Sequence, residues 1–288
     1  MSRKAQIAIA TCRGNELARL ADAPLVEAFR AIGIDSVRLA WDVEDADWSS
    51  CDGIRIRSTW DWHLDPDRFL AWLDACAKAT RVWNPVELVV WCLDKRSLID
   101  LESRSVRSVP TISIGCLDSL RGFSSPWTEW VIKPAFGATA YRTSVIRSSE
   151  DLDTWLRENR EFSGPLVAQQ FQSSVLERGE LSLIYIDGEF SHAVRKSAKP
   201  GDFRVQAEFG GGAELATPSS EDFEIADRCL HSLARPTVFA RIDLVYNEAG
   251  QPMVIECELA EPELFFGQCP EAATKLAKTV AKALSCPN

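Results

Sequence analysis

The chain lacks what several classes of protein depend on. Its nine cysteines are scattered from Cys12 to Cys286 with no Cys-x-x-Cys pair, which excludes the usual zinc-finger spacings and a disulfide framework and predicts reduced thiols. Positive charge is not in excess. The formal net charge of −10 argues against nucleic acid as a partner, because such binding needs a basic surface to displace phosphate counterions. No apolar run approaches the roughly 18 residues that cross a bilayer, and the basic start Met1-Ser2-Arg3-Lys4 has no apolar segment of a secretory signal. A cytoplasmic protein without a membrane partner is expected. Only three histidines occur, and His63, His192 and His231 show neither a metal-ligand spacing nor a Ser/His/Asp arrangement, so they are expected to be structural or surface residues. No internal repeat or low-complexity tract is present.

What is present is an enzyme-like composition of 288 residues, 46% hydrophobic and 26% charged, enough for two or three lobes with real cores. The first 85 or so residues alternate strand and helix: strands at Gln6 to Ala10, Ser36 to Ala40 and Gly53 to Arg57, helical spacing from Pro24 to Ile32, and an Asp65-Pro66 helix start. That pattern predicts a small parallel sheet, with ligands beyond the carboxyl ends of its strands near Arg57-Ser58-Thr59. Seven tryptophans, Trp41 to Trp91, are expected to pack this lobe and its junction. A helical stretch from Asn84-Pro85 to Leu101 leads into strands at Thr111 to Ile114, Glu129 to Pro134 and Thr143 to Ile146, then a helix capped by Ser148. Beyond Leu166 the chain is strand-rich, with Asp187-Gly188 as a hairpin turn and helices near Ser219 to Leu233 and Pro270 to Leu284. Expected lobes are 1–86, 87–166 and 167–288.

The most informative pattern is Arg241-Ile242-Asp243 followed by Glu256-Cys257-Glu258. Both segments read as strands, in which residues two apart share a face, so three carboxylates and a guanidinium converge. Such a cluster repels itself unless a divalent cation sits within it, and hard oxygen ligands select Mg²⁺ or Mn²⁺. The competing reading is a solvated acidic sheet edge, against which Val254, Ile255 and Leu259 argue for burial. Lys133 ends the apolar strand Trp130-Val131-Ile132, where a buried ammonium needs an anionic partner unless it snorkels to solvent. Small residues at Gly137, Ala138, Thr139 and Ala140 would let backbone N–H groups approach phosphate oxygens.

These residues resemble the ATP-grasp superfamily over nearly the whole chain, its glutathione-synthetase-like ligases in particular. Within those, Arg57 to Trp62, Gly201 to Gln206 with Gly210-Gly211-Gly212, and Glu258 to Phe265 are similar to the D-cycloserine-forming ligases of antibiotic pathways. The resemblance implies an α/β chain with the ATP-grasp fold: an N-terminal parallel α/β lobe and two α+β lobes that clamp ATP. It implies that Lys95 and Lys133 meet ATP phosphates. Gln169 would offer its side chain and Gln170 its carbonyl to the adenine amino group, Gln172 its N–H to a ring nitrogen, Phe171 apolar contact, and Glu180 the ribose. Asp243, Glu256 and Glu258 would hold Mg²⁺, as two ions, with Mn²⁺ an alternative. Glu258 departs from the asparagine common at its position. Lys196 and Arg204, beside a Lys199-Pro200-Gly201-Asp202 loop expected to be mobile, would clamp the phosphates, and Arg241 would stabilise the moving phosphoryl group. Arg57, Ser58, Asp61, Gly211, Gly212 and Glu261 would surround an amino-acid-like substrate. The implied activity is ATP-dependent joining of a carboxylate, activated as an acyl phosphate, to a nitrogen nucleophile, within one molecule if the finer resemblance holds. A small-molecule kinase on the same fold and a non-catalytic nucleotide-binding regulator are the rivals, and a homo-oligomer is left open.

Overall fold

The structure is a computed structural model that describes residues 4–199, 201–205 and 210–285. Its first sheet is parallel, ordered β2-β1-β3-β4, from β1 (Gln6–Thr11), β2 (Asp35–Ala40), β3 (Gly53–Ser58) and β4 (Val82–Trp83). Helix α1 (Glu16–Ala31) begins eight residues before the expected start at Pro24, because Asn15 caps it by accepting from the Ala18 N–H. Its buried face, Ala18, Asp22, Leu25, Ala28 and Phe29, has helical spacing, but an aspartate inside that stripe hides it from a hydrophobicity reading. Helix α2 (Pro66–Ala79) starts where expected, with the Asp65 carboxylate accepting from the Arg68 N–H. Trp41, Trp62, Trp72 and Phe69 pack edge to face and tilted beneath it, and Trp48 joins them, as the tryptophan-rich sequence suggests.

The helical stretch expected from Asn84 to Leu101 is two helices, α3 (Val86–Leu93) and α4 (Ser97–Ser103). Between them Asp94 pairs as a β-bridge with Phe136, and the Lys95 N–H donates to the Ala135 carbonyl at 2.9 Å. Lys95 therefore lies in a break tied to the following sheet rather than early in a helix. That second sheet, ordered β5-β8-β6-β7, is antiparallel: β5 (Thr111–Ile114), α5 (Leu117–Arg121), β6 (Trp130–Pro134), β7 (Ser144–Ile146), α6 (Ser149–Glu158) and β8 (Leu166–Gln170). The expected lobe limit at 166 falls inside β8, which pairs with β5 and β6.

The third sheet, ordered β11-β10-β9-β12-β13, follows α7 (Ser174–Arg178) and is made of β9 (Glu180–Ile186), β10 (Glu189–Ser197), β11 (Gly212–Leu215), β12 (Phe239–Tyr246) and β13 (Pro252–Glu258). Asp187 and Gly188, both at positive φ, make the tight β9–β10 turn. Helices α8 (Ser220–His231) and α9 (Pro270–Leu284) cover it, and α9 also packs on α1. One core runs from Ile7, Leu25 and Phe29 through Ile184 and Phe239 to Leu276 and Val280. Asn84, fully buried, fastens the junction by donating to the Phe239 and Leu259 carbonyls at 2.8 and 2.9 Å.

Candidate functional site

Strand register brings the acidic residues together. In β12 and β13, Arg241 stands opposite Glu258 and Asp243 opposite Glu256, while β9 sets Ser182 opposite Asp243. Asp243 is fully buried and saturated: Ser182 donates to one oxygen at 2.7 Å, Lys196 to the other at 2.8 Å, and Arg241 to both at 3.0 Å. Burial opposes its charge, but Arg241 and Lys196 override that and hold its carboxyl well below the usual range. Lys196 projects from β10, not from a loop, and also pairs with Glu180 at 2.8 Å; these two anions outweigh its burial and raise its pKa. Glu256, at 40% side-chain exposure, meets Lys95 at 3.6 Å and Arg241 at 3.3 Å. Glu258 accepts from the Ala260 N–H at 2.8 Å, and burial together with repulsion from Glu256 raises its pKa.

The lysines converge from the other side. Lys133 donates to the Gln169 side-chain oxygen at 2.9 Å, and the Gln169 amide donates to Thr111 at 3.2 Å. Both ends of Gln169 are thus engaged, by Lys133 of β6 and by Thr111 of β5, at the wall of the cleft described next. Burial and the charge of Lys95 push Lys133 down to about 8. Lys95 itself donates to the Gly137 carbonyl at 2.6 Å. After Gly137 and Ala138 the loop carries Thr139, Ala140 and Arg142 at positive φ, a strained backbone for non-glycine residues.

Lys95, Lys133, the loop Gly137 to Tyr141, Gln170, Phe171, Gln172, Glu180, Arg204 and Glu256 line one cleft between the second and third sheets. Its open space, counted out to the mouth and including open solvent, is about 920 Å³. Arg204 reaches this cleft while paired with Asp202 at 2.8 Å. Pro200 and Gln206, in the segments singled out on either side of it, lie outside the described residues. Gly211 is half-buried and Gly212 exposed on the edge strand β11.

The first lobe departs from expectation. Arg57 is fully buried, donating to the Pro262 carbonyl at 2.9 Å and pairing with Glu263 at 3.2 Å and Asp22 at 3.6 Å. Ser58, also fully buried, donates to Asp22 at 2.8 Å. Arg57 joins the first lobe to the 262–263 segment, whereas Ser58 is held within its own lobe by Asp22 of α1, unnoticed in the sequence, and by Thr11 at 2.7 Å. The Asp61 carboxylate accepts from the Trp41 indole at 2.7 Å, and Glu261 from the Trp62 indole at 2.8 Å.

The expected three-carboxylate metal site is altered by these pairings. No group of three His, Cys, Asp or Glu among the described residues is arranged to hold an ion. Asp243 does not fit as a direct ligand, since its oxygens are taken. Glu256 and Glu258 do fit a hard cation: they share one face of β13, and the mutual repulsion that raises Glu258 is what a cation between them would relieve.

A parallel lobe followed by two antiparallel sheets with a lysine-lined cleft between them is the architecture of the ATP-grasp ligases. The ATP-grasp ligase PsnB, solved with a minimal precursor, shares the fold at TM-score 0.64 and 15% identity, over 96% of this chain and 100% of that one. Closer similarity is specific: the crystal structure of D-cycloserine synthetase DcsG matches at TM-score 0.87 and 28% identity, over 97% of this chain and 100% of that one. The cycloserine biosynthesis protein DcsG of Streptomyces lavendulae is 31% identical over 284 residues, 91% of this chain and 93% of that protein. Residues 7–84 match the family described as D-cycloserine synthetase DcsG, N-terminal domain. The chain belongs to the DcsG family of ATP-grasp ligases.

Proposed function

We propose that this ATP-dependent ligase carries out a D-cycloserine-type ring closure in the cytoplasm, on a small amino-acid-like molecule that holds both the carboxylate and the acceptor nitrogen. The observation that carries the reading is the meeting of Lys95, Lys133 and Glu256 with the Gly137–Tyr141 loop in one cleft. A carboxylate has no adequate leaving group at neutral pH, so its oxygen first attacks the γ-phosphorus of ATP, releasing ADP. The nitrogen then attacks the acyl phosphate carbon, the C–O bond breaks with its electron pair leaving on phosphate, and the nitrogen's proton passes to that phosphate.

The chain's own residues contribute position and charge. Lys95 and Lys133 neutralise phosphates. The Gly137, Ala138 and Thr139 backbone covers them, Gln170, Phe171 and Gln172 border the adenine, and Glu180 takes the ribose. Lys196 and Arg241 face the transferred phosphoryl group, with Arg204 closing from the cleft wall. Glu256 and Glu258 would hold Mg²⁺, which supplies charge neutralisation of the polyphosphate when bound, while Asp243 holds Arg241 and Lys196 in place. Glu261, Gly211 and Gly212 border the substrate side.

Mass spectrometry of reactions with ATP and a panel of amino-acid-like carboxylates tests this. Ring closure gives ADP, free phosphate and a product lighter than its substrate by one water. A phosphorylated product, or a product that joins two molecules, would overturn the ring closure.

A further inference from the structure

Lys95, Lys133 and Lys196 stand at or beside the cleft, and two of them are paired with carboxylates. Lys95 meets Glu256 at 3.6 Å and donates to the Gly137 carbonyl at 2.6 Å. Lys196 lies between Glu180 and Asp243, 2.8 Å from each. Lys133 is the exception. It lines the cleft, yet among the described residues no carboxylate comes within ion-pair distance of it, and its acceptor is the neutral Gln169 side chain at 2.9 Å. Glu256 and Glu180 act on it from farther away, and Lys95 opposes them.

An amine in that setting is a nucleophile. A lysine desolvated beside a second cation is held partly in its neutral form, and Lys133 is pushed down to about 8. The same cleft carries the strained loop, in which Thr139 and Ala140 are at positive φ and the Tyr141 N–H turns back to the Ala138 carbonyl at 2.9 Å. The Ala138, Thr139 and Ala140 N–H groups have no acceptor among the contacts described. Consecutive N–H groups of this kind form an anion-binding concavity. The cleft therefore sets an unpaired amine beside a cradle for phosphate.

We propose that Lys133 is a reversible covalent site for small aldehydes that carry a phosphate group, a class of molecule that would block the nucleotide cleft. The phosphate rests on Lys95 and the 138–140 backbone, and the lone pair of Lys133 Nζ attacks the aldehyde carbon. The carbonyl oxygen leaves as water and a C=N bond remains, with no oxidant or reductant required. Lys95 and Lys196, paired with carboxylates, are not the nucleophiles. ATP and the aldehyde exclude each other, because the nucleotide occupies the cradle and favours the ammonium form of Lys133. The site rests on the reading that this cleft takes nucleotide phosphates, and not on ring closure.

Pyridoxal 5′-phosphate added to the intact chain, followed by borohydride to fix the imine and by peptide mass spectrometry, tests the site. A single label is expected, on the peptide that carries Lys133, and Lys133→Arg should remove it. ATP·Mg²⁺ at about ten times its Kd should slow labelling about tenfold by mass action. Pyridoxal, which has the aldehyde but no phosphate, should label about tenfold more slowly or worse, the effect of losing a charge-assisted phosphate contact. Labelling that falls on Lys95 or on surface lysines would overturn the site, as would labelling of Lys133 that ATP does not slow or that pyridoxal matches. Calorimetry of ATP·Mg²⁺ binding, run on the same protein, separates the two readings. Nucleotide binding with Lys133 left unlabelled would overturn the covalent site alone, whereas absence of nucleotide binding would overturn the nucleotide reading of the cleft and the site with it.

Discussion

Single residues in this protein are governed by whether their charge finds a partner. Lys133 has only the neutral Gln169 as a hydrogen-bond acceptor among the contacts described, and its pKa of about 8 reflects burial and Lys95. ATP would favour its ammonium form and raise that pKa. Nucleotide affinity should therefore be full below pH 8 and fall as pH rises through 8, with proton uptake on binding in that window; calorimetry in buffers of different ionisation enthalpy reads it. Lys133→Ala should cost about 1.5–3 kcal/mol of ATP affinity and remove the proton uptake. Arg55 and Arg57 make a second contrast. Both are fully buried, but Arg57 pairs with Asp22 and Glu263, whereas Arg55 lies over the Phe239 ring with two guanidinium nitrogens unpartnered. Arg57→Met should destabilise by about 1–3 kcal/mol because it removes the buried donor of the Pro262 carbonyl and one of the two cations on Asp22, Arg38 remaining at 3.0 Å, while Arg55→Met should be neutral or stabilising in urea denaturation.

Among the elements, the β9–β10 pair sets the spacing of the cationic and acidic groups. Lys196 stands opposite Glu180, and Gly179, at φ 68°, precedes that pair. A Cβ at Gly179 would overlap the Lys196 carbonyl oxygen, so only glycine lets α7 end and β9 begin there. Gly179→Ala should lower stability by about 2 kcal/mol or more and displace Glu180 and Lys196, reducing kcat as well as the melting temperature. The break between α3 and α4 acts similarly by hydrogen bonding. Its tie to Ala135 and Phe136 brings Lys95 to the cleft, which a continuous helix would not do.

At the scale of the molecule, the first and third lobes are fastened by Asn84, Arg57 and a shared core, while the nucleotide cleft lies between the second and third sheets. Ligand that binds this cleft only in the folded state should stabilise the whole chain. At ATP·Mg²⁺ about 100 times its Kd the gain is about 2.7 kcal/mol, which should appear as a rise of roughly 5–10 °C in melting temperature. Removing the metal with a chelator should reduce that shift. An equal shift in Lys133→Ala would separate nucleotide binding from Lys133.

The sequence by itself determined the class of fold, the strand positions and the set of charged residues. Alternation in β12 and β13, the Asp187-Gly188 turn and the helix starts at Asp65, Ser148 and Ser219 are local, and local rules read them. Helix α1 escaped because Pro24 and Asp22 stand inside it, and the α3–α4 break escaped because its hydrogen bonds go to residues some 40 positions away. Only the tertiary structure decided which charges pair. Asp243 is saturated by Lys196 of another strand, Gln169 holds Lys133 rather than standing free, and Arg57 is spent on Asp22 and the 262–263 backbone and carboxylate. The physical reason is that spacing along a strand fixes the face a side chain takes, but burial and counter-charge come from segments distant in sequence.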